Sequence, residues 1–437
     1  MTLLALDVGS SSVKAAVMRG DRVVGRIVRA GYPTRHTDVR VEVMPNVLLK
    51  AIRDAIAQLG AAAKRVEVIG LSVMSPAWVA MDAKGKPLTP IITHQDRRSV
   101  EVAKALEQRV GNERYLSIAG NRPVPGGISV TTWAWYLQHQ PRVLAKADLV
   151  GHLNTFLHRR FTGARVIDPS NASFTGLYRT VDQGGWSDEL CEAAGVSESL
   201  LPQIRDANVI GGGVTRVAAK QFALTQGTPM MIGLVDTSSA MLLAGARVGQ
   251  LLNACGSTDV LALCAGKAVP HERLLTRALG VGLKWMSVST LAAAGSALVW
   301  MKDQIFADWS REKFQELMVS LAKKGAAAAG TVCFEPYLAG ERTSVEQRQA
   351  SFTGLTLATT RERMLAAVIE ALARASAARL TVFRQIRLPI RRHVTLTGGV
   401  SDGLADILHR DWPGKWTFHI EEEATLRGLA SLSPRHA

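Results

Sequence analysis

Two stretches of the chain, about 250 residues apart, repeat one pattern of apolar and polar positions. LLALDVGSSSVKAAVM at 3–18 and LLNACGSTDVLALC at 251–264 are each an apolar run, a glycine, two small hydroxyl residues and a second apolar run. The pattern predicts a strand, a tight turn and a returning strand. Gly9 and Gly256 lack a Cβ, so the backbone at each turn can approach a ligand closely and tolerates positive φ. Ser10, Ser11, Ser257 and Thr258 add hydroxyls beside the N–H groups of the turn, a concavity suited to an anion. Two such hairpins predict a duplicated nucleotide-binding architecture, each half offering one hairpin to a polyphosphate.

The rest of the chain reads as α/β. Strand-like runs at 3–8, 13–18 and 22–29 precede an amphipathic helix over 46–59 and a strand at 66–73. The stretch 99–222 reads as mostly helical and loop-rich, punctuated by GNRPVPGG at 120–127 and QGGW at 183–186. A strand at 230–233 delivers Asp236 to its end. The second half repeats the logic, with hairpin strands inside 250–264, a strand at 283–288, helices at 290–306 and 312–324, and a strand at 332–334. A long helix over 360–384 places Met364, Leu365, Val368, Ile369, Leu372 and Ala375 on one face. A strand at 393–396 ends in Gly398-Gly399. The halves divide near 240–250, giving expected domains 1–246 and 247–437.

Length fits that division: 437 residues exceed one ordinary core, and two domains flanking a cleft are expected. Apolar content of 47% and charged content of 20% describe a globular chain without low-complexity tracts. No uninterrupted apolar stretch reaches the roughly 18–20 residues that span a bilayer, so no membrane partner is expected. The first apolar run has no basic segment before it, which argues against a signal peptide. Cys191, Cys255, Cys264 and Cys333 show no CxxC spacing, so a reducing cytoplasm and no thiolate metal site are expected. The net charge of +15 is spread along the chain; its densest groups, 361–363 and 387–392, are short. Without zinc-finger spacing or RNP aromatics, this reads as a solvated basic surface that attracts ATP, not as a nucleic-acid interface.

GxxxxGK[ST], GxGxxG, HExxH and GxSxG are all absent, which removes P-loop, dinucleotide, zinc-protease and serine-hydrolase chemistry from consideration. Acidic residues beside glycine–hydroxyl turns are left. They equip a protein for phosphoryl transfer: backbone donors for phosphate oxygens, a carboxylate for hydrated Mg²⁺ and a second carboxylate as base.

At this point a family resemblance emerges. LALDVGSSSVKAAV, THQDRRS at 93–99, GNRPVPG at 120–126, GLVDTSSA at 233–240, PYLAGERTS at 336–344 and TLTGGVSDGLADIL at 395–408 occur in the order typical of FGGY carbohydrate kinases, and the chain is most similar to the xylulokinases among them. The resemblance implies an actin-like, Hsp70-like ATPase fold of two duplicated domains around a central cleft. It also implies ATP and Mg²⁺ as cofactors and a small sugar as substrate, first a ketopentose such as D-xylulose; gluconate, another ketose or a polyol are alternatives, and a homodimer is left open. In this reading Asp7 positions Mg²⁺. Gly9, Ser10, Ser11, Ser12 and Lys14 contact ATP phosphates with Gly256, Ser257 and Thr258, and Gly398, Gly399 and Val400 lie against the nucleoside. Asp236 is the general base, and Ser75, Pro76, Asp96, Arg98 and Asp236 surround the sugar. Where xylulokinases carry a sugar-contacting Met-His-Gly, this chain has Ser75-Pro76-Ala77, so one substrate hydrogen bond is missing. Glu341 and Arg342 are expected to form an ion pair, and Trp78, Trp133 and Trp135 to be core. A non-catalytic sugar sensor on the same fold is the reading from another class; loss of Asp7 or Asp236 would signal it, and both are present.

Overall fold

The computed structural model describes residues 1–341, 343–345, 348–398 and 403–436. It divides into two compact units, one of Met1–Arg247, Cys264–Ser287 and Glu423–Ala437, the other of Val248–Leu263 and Val288–Glu422. The chain first passes from one unit to the other after Arg247. The segments Cys264–Ser287 and Glu423–Ala437, expected in the second half, instead belong to the first unit.

The first unit is built on a seven-stranded sheet. Its strands are β1 (Thr2–Val8), β2 (Ser12–Arg19), β3 (Arg22–Gly31), β4 (Val68–Val73), β5 (Ile210–Gly213), β6 (Pro229–Met231) and β7 (Leu234–Val235). The order is β5-β6-β4-β1-β2-β3, and β7 also pairs with β4. β1 and β2 form the antiparallel hairpin read from the sequence, and β4 lies parallel to β1. Both faces of this sheet are covered, which is why β1 is apolar at nearly every position and not alternating. Leu4, Leu6 and Val8 face one cluster with Leu48, Ile52 and Ile56 of helix α1 (Pro45–Gln58). Leu3 and Ala5 face another with Leu426 and Leu429 of the terminal helix, Ala424–Ala430. By the period of two, Asp7 falls on that second face. Helix α2 (Asp236–Leu243) starts directly after β7.

A second, five-stranded sheet joins Arg35–Thr37, Arg40–Val43, Ile91–Thr93, Ala77–Met81 and Leu149–Gly151. Sequence reading leaves this sheet out because its strands are short and three of the five lie outside any long apolar run. The stretch 99–222 likewise holds short strands, Val166–Ile167 and Gln203–Ile204 among them, between its helices.

The second unit repeats the hairpin-plus-parallel-strand motif. β8 (Leu251–Cys255) and β9 (Asp259–Ala265) are antiparallel, β10 (His393–Gly398) runs parallel to β8, and β11 (Thr417–Ile420) runs parallel to β10. The predicted helix over 290–306 is α3 (Gly295–Trp300) followed by a π-helical turn, Met301–Ile305. Helices α4 (Arg311–Lys324) and α5 (Arg361–Gln385) follow, with Ser310 and Thr360 as N-caps whose hydroxyls accept from Lys313 N and Arg363 N. The apolar face of α5 is buried at Leu365, Val368, Ile369 and Leu372, as its periodicity predicts, and Met364 is only partly buried.

Candidate active site

Asp7 lies one residue before the end of β1 and is 7% exposed. Its register neighbours are Lys14 on β2 and Ser72 on β4. Ser72 Oγ donates to Asp7 Oδ1 at 3.1 Å, and Thr425 adds a side-chain hydrogen bond from the terminal helix. Burial, and next the nearby charge of Asp236, push the Asp7 carboxyl up to about 6 against the lowering effect of Lys14. Asp236, only partly buried, is the first residue of α2. Its Oδ1 accepts from Thr237 N at 2.6 Å and Thr237 Oγ1 at 3.0 Å, at the helix end where a negative charge is favoured. The first unit therefore brings together the two carboxylates that lie 229 positions apart in sequence.

The hairpin turn beside them is held by Gly9 N donating to Ser12 O at 3.1 Å and Tyr32 N donating to Ser11 O at 3.0 Å, with Ser10 and Ser11 exposed. Lys14, expected at a phosphate, has its Nζ 2.7 Å from Glu423 Oε2, and Arg29 pairs with the same carboxylate. Glu423 is 409 residues away, so no local signal in the sequence could have revealed it.

Asp96 and Arg98, expected around the sugar, pair with each other. Asp96 is 3% exposed and accepts from Val41 N at 2.8 Å, Arg98 N at 3.0 Å and Arg98 Nε at 2.9 Å. The Arg98 guanidinium reaches Glu42 at 2.6 Å and lies 5.1 Å from the Trp135 ring centroid. Asp96 and the Nε and Nη2 groups of Arg98 are therefore tied into a buried ion cluster with Glu42. Trp78, Trp133 and Trp135 are buried. Of the Ser75-Pro76 pair, proline is buried and serine half-buried. Ser75 Oγ donates to Asn171 Oδ1 at 3.0 Å and lies 3.3 Å from His152 Nδ1. His152 is fully buried, which pushes its pKa down to about 3, and it is a neutral imidazole.

In the second unit, Gly256 N donates to Thr258 O at 2.9 Å, a turn one residue shorter than its counterpart. Neither Gly9 nor Gly256 has a positive φ, and a Cβ on either would meet only a backbone oxygen at 3.5 Å. Their use is the open approach they leave to a ligand, not an unusual backbone conformation. The turn of the second hairpin borders a cavity of about 510 Å³ lined by Gly256, Ser257, Leu298, Phe314, Met318 and Leu404, with Lys302, Arg311 and Gln315 supplying polar groups. Gly295 packs so closely that a Cβ there would lie 2.7 Å from Gly256 O. Gly398 does require glycine: its φ is +96°, and a Cβ would lie 2.4 Å from Cys255 O. Gly399, Val400 and Arg342 lie outside the described residues. Glu341, expected beside Arg342, accepts from Thr343 Oγ1 at 2.9 Å and lies 3.4 Å from Arg348 Nε.

Residues 2–243 match the model of the N-terminal domain of the FGGY family of carbohydrate kinases, and residues 251–405 match the C-terminal domain of the same family. The chain belongs to the FGGY family of carbohydrate kinases. It is similar to a gluconokinase of Bacillus subtilis, 25% identical over 383 residues covering 84% of this chain and 74% of that protein. It is similar to a glycerol kinase of Thermococcus gammatolerans, 26% identical over 390 residues covering 85% and 76%. In fold it resembles a xylulose kinase from Rhodospirillum rubrum, with a TM-score of 0.85 at 24% identity, covering 99% of this chain and 90% of that one. The α/β, actin-like fold expected from the sequence is therefore the fold of this FGGY kinase.

The donor set fits a hydrated Mg²⁺. Among the described residues no cluster of three or more His, Cys, Asp or Glu could cage a metal, whereas Mg²⁺ characteristically takes one or two carboxylates and keeps its waters. A divalent cation would relieve the repulsion between Asp7 and Asp236. No helix among the described residues is long and apolar enough to cross a membrane. Sequence reading missed Thr425, Glu423 and Asp168. Asp168 carries a local signal, since Asp followed by Pro and Ser is a helix-start pattern.

Proposed function

We propose that this FGGY kinase transfers the γ-phosphoryl group of ATP to a terminal hydroxyl of a small polyhydroxylated acceptor, with Asp236 as general base. The carboxylate pair in the first unit carries the reading: Asp236 is partly exposed at a helix start, and Asp7 is buried beside it with a raised pKa. Asp236 takes the proton of the acceptor hydroxyl as it attacks. Asp7 would hold a hydrated Mg²⁺, which would supply charge neutralisation at the phosphates. The exposed hydroxyl turns at Ser10–Ser12 and Ser257–Thr258 offer phosphate donors, and the apolar wall of Leu298, Phe314 and Leu404 suits a nucleobase. A ketopentose such as D-xylulose is the first choice of acceptor on the GNRPVPG motif; gluconate, another ketose or a polyol such as glycerol follow from the relatives.

The test is Asp236→Asn. ATP affinity should stay near wild type while turnover with the working acceptor falls by about 10²-fold or more. Near-normal turnover in this variant would remove Asp236 from the base role.

A further inference from the structure

Asp168, outside every motif above, is completely buried and accepts hydrogen bonds from four groups on three residues besides the Ser170 hydroxyl. Asn154 Nδ2 donates to Oδ1 at 3.0 Å, Asn171 Nδ2 at 2.7 Å and Asn171 N at 3.4 Å, while Ser170 N donates to Oδ2 at 2.8 Å. Ser170 Oγ also donates to Oδ2. Two of these partners lead onward. Ser170 Oγ, its proton committed to Asp168, presents a lone pair to Val235 N at 3.0 Å, the residue immediately before Asp236. Asn171, its amide N–H₂ committed to Asp168, turns Oδ1 to the Ser75 hydroxyl. One carboxylate therefore orients the groups that fix two separate segments, the start of α2 and the turn after β4. Gly280, with φ +100°, closes over it so tightly that a Cβ would lie 2.8 Å from Asp168 Oδ2.

We propose that Asp168 is a positioning residue that sets Asp236 through Ser170 and Val235, and sets the acceptor-side turn through Asn171 and Ser75. This rests on the kinase reading for its kinetic consequences, not for its geometry. The two arms are separable. Ser170→Ala removes the acceptor for the Val235 amide and one of the donors to Asp168 Oδ2, but leaves both Asn171 bonds, so the base loses its alignment while the acceptor-side turn keeps its support. Asn171→Ala removes the other arm. Asp168→Asn is isosteric, but its N–H₂ must face donors whichever way the amide turns, so it weakens both.

The experiment measures kcat, acceptor KM and amide hydrogen exchange for all three variants in the full chain. Ser170→Ala should lower kcat by about 10- to 100-fold with acceptor KM within about twofold of wild type. Exchange should quicken in the peptide containing Val235. Asn171→Ala should raise acceptor KM at least about fivefold with kcat held within about threefold, and quicken exchange around Ser75. Asp168→Asn should show both patterns. Lowered thermal stability with wild-type kcat, KM and local exchange in Ser170→Ala and Asn171→Ala would overturn the proposal and leave Asp168 a purely structural group. If the wild-type chain phosphorylates no acceptor, the kinase reading fails separately, and exchange at Val235 and Ser75 alone decides the positioning claim.

Discussion

Asp7 is the residue on which electrostatics and function pull in opposite directions. Its carboxyl is raised to about 6 from an ordinary value of 3.8, chiefly by burial and then by Asp236. The folded state therefore holds this proton more tightly than the unfolded chain does. That contribution to stability is fully present below the unfolded pKa and is lost as pH rises through about 6. At pH 8 without a divalent cation, the ionised Asp7 costs the fold up to about 3 kcal/mol. Asp7→Asn should accordingly raise the Tm of the nucleotide-free protein at pH 8, give no gain at pH 4, and abolish turnover. A Tm that is unchanged or lowered at pH 8 would show that the carboxylate is not under this strain. For the wild type, the proposed role of Asp7 in holding the cation predicts an acid limb near pH 6 in kcat/KM, where its carboxyl takes up a proton.

At the scale of elements, α2 starts with Asp236, the proposed base, and is held by the terminal helix. Gly428 of that helix packs so closely that a Cβ would lie 1.9 Å from Ser239 O on α2, and Ser239 Oγ donates to Thr425 O at 2.7 Å. Gly428→Ala should force the helices apart, costing about 1–3 kcal/mol of stability and lowering kcat with it. Thermal denaturation and kinetics of the variant check this, and wild-type values in both would show that the crossing has slack. Such a contact is illegible in sequence, because it joins residues nearly 190 positions apart through a missing side chain. What was legible is local: the two hairpins, α1, α5 and β10 follow from apolar runs and periodicity. The five-stranded sheet around Ala77–Met81 was not, since short strands carry too few residues to show a period. Asp7 and Asp236 stood out as acidic residues in apolar or turn contexts. The commitments of Lys14, Asp96 and Arg98 did not, because a partner such as Glu423 or Glu42 is known only once the chain is folded.

For the whole molecule, the chain leaves the first unit after Arg247 and returns to it twice, at Cys264–Ser287 and Glu423–Ala437. Both returns are built into its interior. Arg277 donates to Ser173 O and Gly127 O, each at 2.8 Å, and Leu426 and Leu429 complete the face of the sheet behind Leu3 and Ala5. Losing each of those leucines forfeits roughly 1.5–3 kcal/mol of burial. A fragment of residues 1–247 should therefore give no cooperative thermal transition by calorimetry. A sharp transition would mean that the simpler split read from the sequence is the true folding boundary. The most direct test of the kinase account is ADP release from Mg·ATP by the full chain, against a panel of ketoses, aldonates and polyols with an acceptor-free blank. The account predicts one small polyhydroxylated acceptor that stimulates release well above the blank; release no faster than the blank across the whole panel, with ATP bound, would contradict it.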